Sequence, residues 1–349
     1  AALNMAYRSP AAVPGVQPRA PARATAPIFP RGPARADTGA SERGSAVAKA
    51  STTLQIGAVT LEVTSPNKLL FPDDKITKGD VVEYYRDVAP HMVPHLAGRP
   101  ITLHCFPSGI ANRGYFQKSV QEHFPEWIAR VTVKTLGGET TYALVDDAAT
   151  LVFLASQNSL AFHPCNVLAD SLDRPDLLIL DLDPSDDDFS KVRHGARLLR
   201  DLLPGLGLVP FVKTTGSRGL HVVSPIHPEL TCDEVSEFAR KVALYLVQTD
   251  PVRFTTDINK KKRGDRVFVD YLRNGTAQTA VAPYSLRALP RAPVAVPITW
   301  DELDDPELDA RRWHLRSVRD RLADFGDPWK DIHEHARSLA DASERLSAL

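Results

Sequence analysis

Five aspartates crowd the thirteen residues of LLILDLDPSDDDF, Leu177 to Phe189, and two of them, Asp181 and Asp183, fall inside an apolar run that reads as a buried strand. A carboxylate buried there without a partner is costly. Strand side chains alternate, so these two share one face while Leu180 and Leu182 share the other. Like charges so placed raise each other's pKa unless a cation lies between them, which points to a hard divalent ion, Mg²⁺ or Mn²⁺. The competing reading is a strand end fraying into an acidic turn. Asp186, Asp187 and Asp188 are read in that second way, as a solvated turn and helix cap. Asp270, in RVFVDYLRN, intrudes into another β-rich run, on the strand face of Phe268. Three inward carboxylates from two strands suit a two-metal site, which activates an attacking oxygen and stabilises a leaving pyrophosphate.

Between these strands lies KTTGSRGLHVVSP, Lys213 to Pro225. Gly216 and Gly219 let backbone amides approach an anion, Lys213 and Arg218 supply charge, and His221 opens the next strand. A glycine-rich turn and a strand histidine each have an ordinary structural reading, and the Walker A pattern G-x-x-x-x-G-K-[ST] does not occur. The neighbouring carboxylate strands favour an anion site. From Arg253 to Arg273 seven basic residues stand against three aspartates, enough to grip the phosphates of a triphosphate or a nucleic-acid backbone. A solvated loop explains Lys260 to Lys262 equally well; Arg263, and Arg287 in APYSLRA, are read as functional.

The elements that must position these groups alternate in type. Residues 54–63 and 101–106 read as strands, separated by a helix opening at Thr77, its cap. VTVKTL and TTYALV form a hairpin turning at Gly137 and Gly138. DDAATLVFLASQNSLAFH reads as one helix capped by Asp146 or Asp147. From Leu177 the order is strand, acidic turn, helix, strand VPFVKTT, turn, strand LHVVSPI, helix TCDEVSEFARKVALYLVQTD, basic loop and strand RVFVDYL. IHEHARSLADASERLSAL reads as an amphipathic packing helix. Hairpins beside crossovers imply α+β or mixed α/β rather than a uniform doubly wound sheet.

Composition narrows the class. A net charge of -1 and a pI near 6.9 provide no global field toward nucleic acid or membrane, so local patches must act. Cys105, Cys165 and Cys232 lack C-x-x-C spacing, as expected of ordinary buried thiols in a reducing compartment. No apolar run approaches the roughly 18 residues of a spanning helix, so a cytoplasmic protein is expected. The first fifty residues, rich in Ala, Pro and Arg, have the composition of an unstructured extension; a transit peptide or a loose nucleic-acid tether is the alternative.

LLILDLDPS, KTTGSRGLHVVSPI, KKKRGDRVFVDYLRN and TAVAPYSLRA, in this order, resemble the polymerase domain of bacterial ligase D, a branch of the archaeo-eukaryotic primase superfamily. SPNKLLFPDDKITKGDVVEYYRDVAPHMVPHLAGRPITL and GYFQKS extend the likeness, which covers roughly residues 54–325. The resemblance implies a primase-type α/β fold with an RRM-like sheet. It divides the chain into an extension (1–53), a DNA-binding part (54–170), a catalytic part (171–290) and a helical part (291–349). It also implies templated nucleotide addition, ribonucleotides preferred, at DNA ends and gaps, with two Mn²⁺ or Mg²⁺ ions, in non-homologous end joining or gap filling at the nucleoid.

Carried over residue by residue, Asp181, Asp183 and Asp270 resemble the metal triad. Thr215, Arg218 and His221 match the motif holding the nucleotide's phosphates, with a threonine where serine is common. Arg263 and Arg287 complete that site, and His163 is suited to the nucleotide sugar or base. Lys68 and Lys78 resemble the lysines that clasp a 5′-phosphate across a gap. Tyr115 and Phe116 occupy the place of aromatics that stack on template bases, with Lys118 beside them on phosphate. His104 joins this DNA-binding group but stands where the family often has Arg or Lys, and histidine is mostly neutral at pH 7. The ligase pattern K-x-D-G is absent, so a stand-alone polymerase is expected, working with a separate ligase and an end-binding protein such as Ku. Two rivals fit less well. A D-x-D phosphatase leaves Asp270 unexplained and wants Thr or Val where Ser185 stands. A non-catalytic DNA-end binding module gives no reason for three carboxylates.

Overall fold

The computed structural model describes residues 50–135 and 138–348; the expectations for residues 1–49 and for Gly137 fall outside these. The stretch LQIGAVTLEV, expected as one strand, instead folds back as β1 (Ser51–Ile56) and β2 (Val59–Thr64), because Gly57 takes a φ of +56° that makes a tight turn. A short ladder of β3 (Leu69–Phe71) and β4 (Ile76–Thr77) leads into α1 (Lys78–Leu96). Thr77 caps α1 as read: its hydroxyl accepts from the Asp80 amide while the Asp80 carboxylate accepts from the Thr77 amide.

Next come β5 (Ile101–Cys105), β6 (Tyr115–Gln117), β7 (Arg130–Thr135), β8 (Gly138–Ala143), α2 (Ala148–Ser156) and β9 (Ser159–Pro164). They form a sheet ordered β6-β5-β8-β7, with β9 also paired to β5. Here the sequence misleads, since DDAATLVFLASQNSLAFH is not one helix. Asp147 caps it, but it ends at Ser156, and Asn158 turns left-handed at φ +66°. The following SLAFHP becomes a strand because β5 offers it a ladder and the Ser285 hydroxyl accepts from the Phe162 amide at 2.9 Å. Tertiary pairing overrides the helical period.

The second sheet carries the carboxylates. It is built from β10 (Leu177–Pro184), β11 (Phe211–Thr214), β12 (Leu220–Pro225), β13 (Phe254–Thr255), β14 (Val267–Asp270) and β15 (Pro297–Ile298), in the order β13-β14-β10-β12-β11-β15. Its pairs are antiparallel except β13–β14. The helices α3 (Phe189–Gly205), capped by Asp188, and α4 (Cys232–Thr249) pack against β10. Leu180 and Leu182 are buried on this side. α3 approaches closely because residue 195 is glycine: a Cβ there would sit 2.9 Å from Phe254 and 3.3 Å from Leu182. Within the basic loop Lys260–Arg263 forms a single turn, α5.

The carboxyl-terminal part adds α6 (Trp300–Asp304), α7 (Val318–Phe325) and α8 (Leu339–Ser347). The final segment, expected as one helix, is divided into a 3₁₀ turn at Ile332–His335 and α8. Arg337 bridges to Ile226 between them and Ser338 caps α8. All three cysteines are free and buried, as expected. Among the described residues no helix is long and apolar enough to cross a membrane.

Residues 280–286 tie the two sheets together. Ala280 and Ala282 donate to the carbonyls of Pro164 and Phe162, and the Tyr84 hydroxyl donates to the Tyr284 carbonyl at 2.7 Å. The buried Arg99–Asp176 pair closes the same seam with two bonds of 2.6 Å. The sheet face opposite α3 and α4 is covered at one end by Trp329 and Ile332 and is left open beside β9 as a cleft that His163 shares with Asp181 and Asp183.

Candidate active site

Strand register brings the polar residues into line. Asp270 lies opposite Asp181, Asp181 opposite His221, and His221 opposite Lys213, so four polar side chains form one row across four strands. Residues paired across a ladder share a face. Asp183 stands on the same face, one step along β10, opposite Phe268. His163, Asp181, Asp183, Thr215, Arg218, His221, Arg273 and Arg287 line a single cleft with about 200 Å³ of free space. The turn between β11 and β12 has its shape fixed by glycine: Gly216 takes φ +64°, and a Cβ on Gly219 would meet the Leu182 carbonyl oxygen at 2.0 Å. The Thr215 hydroxyl closes that turn, donating to the Gly219 carbonyl at 3.0 Å and accepting from the Gly219 amide at 3.1 Å. Its role is thus to hold the loop that presents Arg218. Arg287 reaches the back of the same turn, donating to the Thr215 carbonyl at 3.2 Å.

The carboxylates are neutralised by arginine. Arg273 lies 2.8 Å from Asp270 and 3.3 Å from Asp181. Asp183 faces Arg218 at 3.5 Å and Arg263 at 3.4 Å. Arg263 is rigid, bonded to the carbonyls of Asp257 and Ile258 and stacked 3.8 Å over the Phe268 ring. Sequence reasoning counted Arg273 only as one of seven basic residues; its spacing of three from Asp270 was the available signal. Burial, reinforced by Asp181, raises the carboxyls of Asp183 and Asp270. For Asp181 burial acts in the same direction, but His221, Arg273 and Lys213 outweigh it and hold the group below the usual range.

Lys213 departs from expectation. It is 2% exposed, and its amine has no hydrogen-bond partner among the described residues. It lines the neighbouring apolar cavity with Trp329 and Ile332, and burial and Arg287 push it down to about 7. His221 and His163 are likewise kept neutral by burial and nearby cations, His221 down to about 4.

The donor set fits a hard divalent ion. It is all oxygen, lies on one face, and two of its members are raised by burial and by the neighbouring Asp181 charge. As the side chains stand, no group of three His, Cys, Asp or Glu among the described residues is arranged as a metal site, and Arg273 bridges the pair that would have to open.

An aromatic edge borders the cleft. The His104 ring stacks on Phe116 with centroids 4.1 Å apart, and Phe116 meets His163 edge-on at 5.7 Å. Phe116 is 60% and Tyr115 50% exposed, the exposure a stacking platform needs. Lys118 is exposed nearby on the same loop. His104 therefore belongs to this edge through its ring contact with Phe116. Lys68 and Lys78 lie close enough to interact electrostatically. The Lys78 ammonium is buried on the Thr64 carbonyl at 2.8 Å, while Lys68 is exposed and donates to the Pro107 carbonyl.

The model of the LigD primase-polymerase domain family matches residues 77–329. The chain belongs to the ligase D primase-polymerase family. It is 36% identical over 296 residues to the Multifunctional non-homologous end joining protein LigD of Mycolicibacterium smegmatis, covering 81% of this chain and 39% of that protein. To the Bifunctional non-homologous end joining protein LigD of Bacillus subtilis it is 30% identical, covering 83% of this chain and 46% of that one. The chain thus spans less than half the length of these relatives. The polymerase domain of Mycobacterium tuberculosis ligase D, solved in complex with DNA, superposes with a TM-score of 0.74 at 35% identity, over 79% of this chain and 99% of that one. The ligase D primase-polymerase fold, a mixed α/β architecture of several sheets, is therefore the fold of this chain.

Proposed function

We propose that this chain is a nucleotidyltransferase that extends DNA 3′ ends by templated addition, ribonucleotides preferred, at breaks and gaps, in non-homologous end joining or gap filling. The observation that carries the proposal is the convergence of Asp181 and Asp183 with His163, Arg218, His221, Arg273 and Arg287 on one cleft, with Asp270 paired to Asp181 and the exposed Phe116 ring against His163. Asp181, Asp183 and Asp270 would hold divalent ions, Mn²⁺ or Mg²⁺, which when bound lower the pKa of the primer 3′-hydroxyl and offset triphosphate charge.

This chain's own side chains do the rest. Arg218 and Arg287 neutralise the triphosphate, and the turn closed by Thr215 sets the Arg218 position. His221 is neutral at pH 7 and serves as a polar contact and not as a charge. His163, its Nε2 buried without a partner among the described residues, is free to bond the nucleotide's sugar or base. Arg263 is too firmly held to move with substrate and acts by fixing Asp183. Tyr115 and Phe116 stack on unpaired template bases and Lys118 takes phosphate. Lys68 offers the mobile charge for a 5′-phosphate, with Lys78 lending field from beneath. A DNA ligase, an end-binding protein such as Ku and the cytoplasmic nucleoid complete the setting.

The test is extension of a labelled primer across a short gap bearing a 5′-phosphate, with Mn²⁺ and ribo- or deoxyribonucleotides. Templated addition, stronger with ribonucleotides and lost in Asp183→Ala while gap binding persists, is expected. Absence of addition from a folded protein that binds the gap would favour a non-catalytic end-binding module.

A further inference from the structure

Three arginines contact the carboxylates, and they differ in freedom. Arg263 is anchored by two carbonyls and a ring, as described. Arg218 and Arg273 are partly exposed, but only Arg273 bridges two carboxylates from different strands, Asp181 and Asp270. Its one further hydrogen bond among the described residues is a 3.5 Å bond to the Thr279 carbonyl, and its side chain is 37% exposed. Its backbone, by contrast, is fixed to β10: the neighbouring Asn274 amide accepts from the Ile179 N–H at 2.8 Å and donates to the Ile179 carbonyl at 2.7 Å. The result is a rigid hinge carrying a guanidinium that can leave.

Two carboxylates facing each other across a ladder need a cation in every state of the protein. We propose that Arg273 is the resident counter-ion of the carboxylate site, which a divalent ion must displace in order to bind between Asp181 and Asp270. The inference rests on the metal reading of these aspartates given above. Its consequence is that the folded protein tolerates the metal-free state and that its metal affinity is held down by the arginine it must expel. Once expelled, the guanidinium remains in a cleft it shares with Arg218 and Arg287, where a triphosphate is the natural anion to receive it.

The test measures metal binding without catalysis. Mn²⁺ titrations of the full chain at pH 8, without nucleotide or DNA, read the loss of the free-ion electron paramagnetic resonance signal. Arg273→Gln is expected to bind Mn²⁺ at least about tenfold more tightly than the parent, the worth of one lost charge-assisted contact. The same variant is expected to melt at a lower temperature in chelator and to regain the parent's melting temperature with Mn²⁺, whereas a purely structural loss would persist with metal present. Unchanged or weaker Mn²⁺ binding by Arg273→Gln, or a melting loss that Mn²⁺ leaves in place, overturns the proposal. Asp181→Asn separates the two readings. If it abolishes Mn²⁺ binding while Arg273→Gln does nothing, the metal assignment stands and the counter-ion role falls. If it binds Mn²⁺ like the parent, the metal assignment itself falls.

Discussion

Replacing Gly219 by alanine should disable the nucleotide site by a displacement that can be read from the geometry. The new Cβ would lie 2.0 Å from the Leu182 carbonyl oxygen, 3.1 Å from its carbon and 3.4 Å from Pro184 Cδ. The obstacle is backbone of β10, which cannot rotate away as a side chain would, and a tolerable contact requires the turn and strand to separate by about 1 Å. β10 is held on both edges, by β12 and by β14, so the turn moves. It carries Thr215, whose hydroxyl bonds residue 219 in both directions, and Arg218 with it. A misplacement of about 1 Å in a positioned group can cost on the order of 100-fold in rate. We therefore expect kcat/KM for ribonucleotide addition to fall by about that factor. Overpacking of this kind typically costs about 1–3 kcal/mol, so the melting temperature should drop by several degrees. Binding of gapped DNA, which the proposed function assigns to the Phe116 edge in the other sheet, should change little. An alanine variant with near-normal kcat/KM would refute the claim that this close approach positions Arg218.

Other expectations follow from neighbouring features. Phe116→Ala removes the most exposed ring of the edge, and affinity for DNA with an unpaired template base should weaken by roughly 1–3 kcal/mol, the worth of one base–aromatic stack, while Mn²⁺ affinity is unchanged; equal DNA affinity would remove Phe116 from the interface. Asn274→Ala strips the buried amide that extends the β10 ladder beyond the end of β14, leaving both polar groups of Ile179 unsatisfied at a cost of roughly 3 kcal/mol; denaturant titration showing less than 1 kcal/mol would mean that water or a shifted strand replaces it. Chelated protein should also lose stability in mild acid. His163 and His221 both stay neutral when folded, below the unfolded value of about 6.5, because of burial and adjacent cations. Unfolded chains therefore bind protons first, so this stability is complete above pH 6.5 and declines below it by about 1.4 kcal/mol per pH unit per group; for His221 the decline ends near pH 4. Urea midpoints between pH 7.5 and 5 should show it, with His163→Gln roughly halving the slope, and an unaltered slope would place the titration elsewhere.

Much of this was legible in the linear chain, for reasons of local physics. Asp181 and Asp183 announced a shared polar face because strand alternation is obligatory and carboxylates do not enter apolar strands without cause. Thr77, the Asp146–Asp147 pair and the Asp186–Asp188 run marked helix starts because a cap is satisfied within three residues, and the structure selects Asp147 and Asp188. The KTTGSRGLH turn was recognisable from glycines whose lack of a side chain the backbone requires, at Gly216 and Gly219. What local rules could not decide were questions of partner. SLAFHP has no period that separates helix from strand, and only the ladder with β5 made it β9 and brought His163 to the cleft. Lys213 and His221 look alike in sequence as basic residues near a turn and both border the apolar cavity, yet His221 also reaches the carboxylate cleft, as Lys213 does not. His104 meets the Phe116 ring because strand pairing places residue 104 opposite residue 116. Arg273 became part of the site only when β14 was laid beside β10 in a register that sets Asp270 against Asp181. The sequence by itself determined the chemistry available to this protein, because side-chain type and alternation are local properties. The tertiary structure alone decided which charges meet, because register and burial are set by segments far apart in the chain.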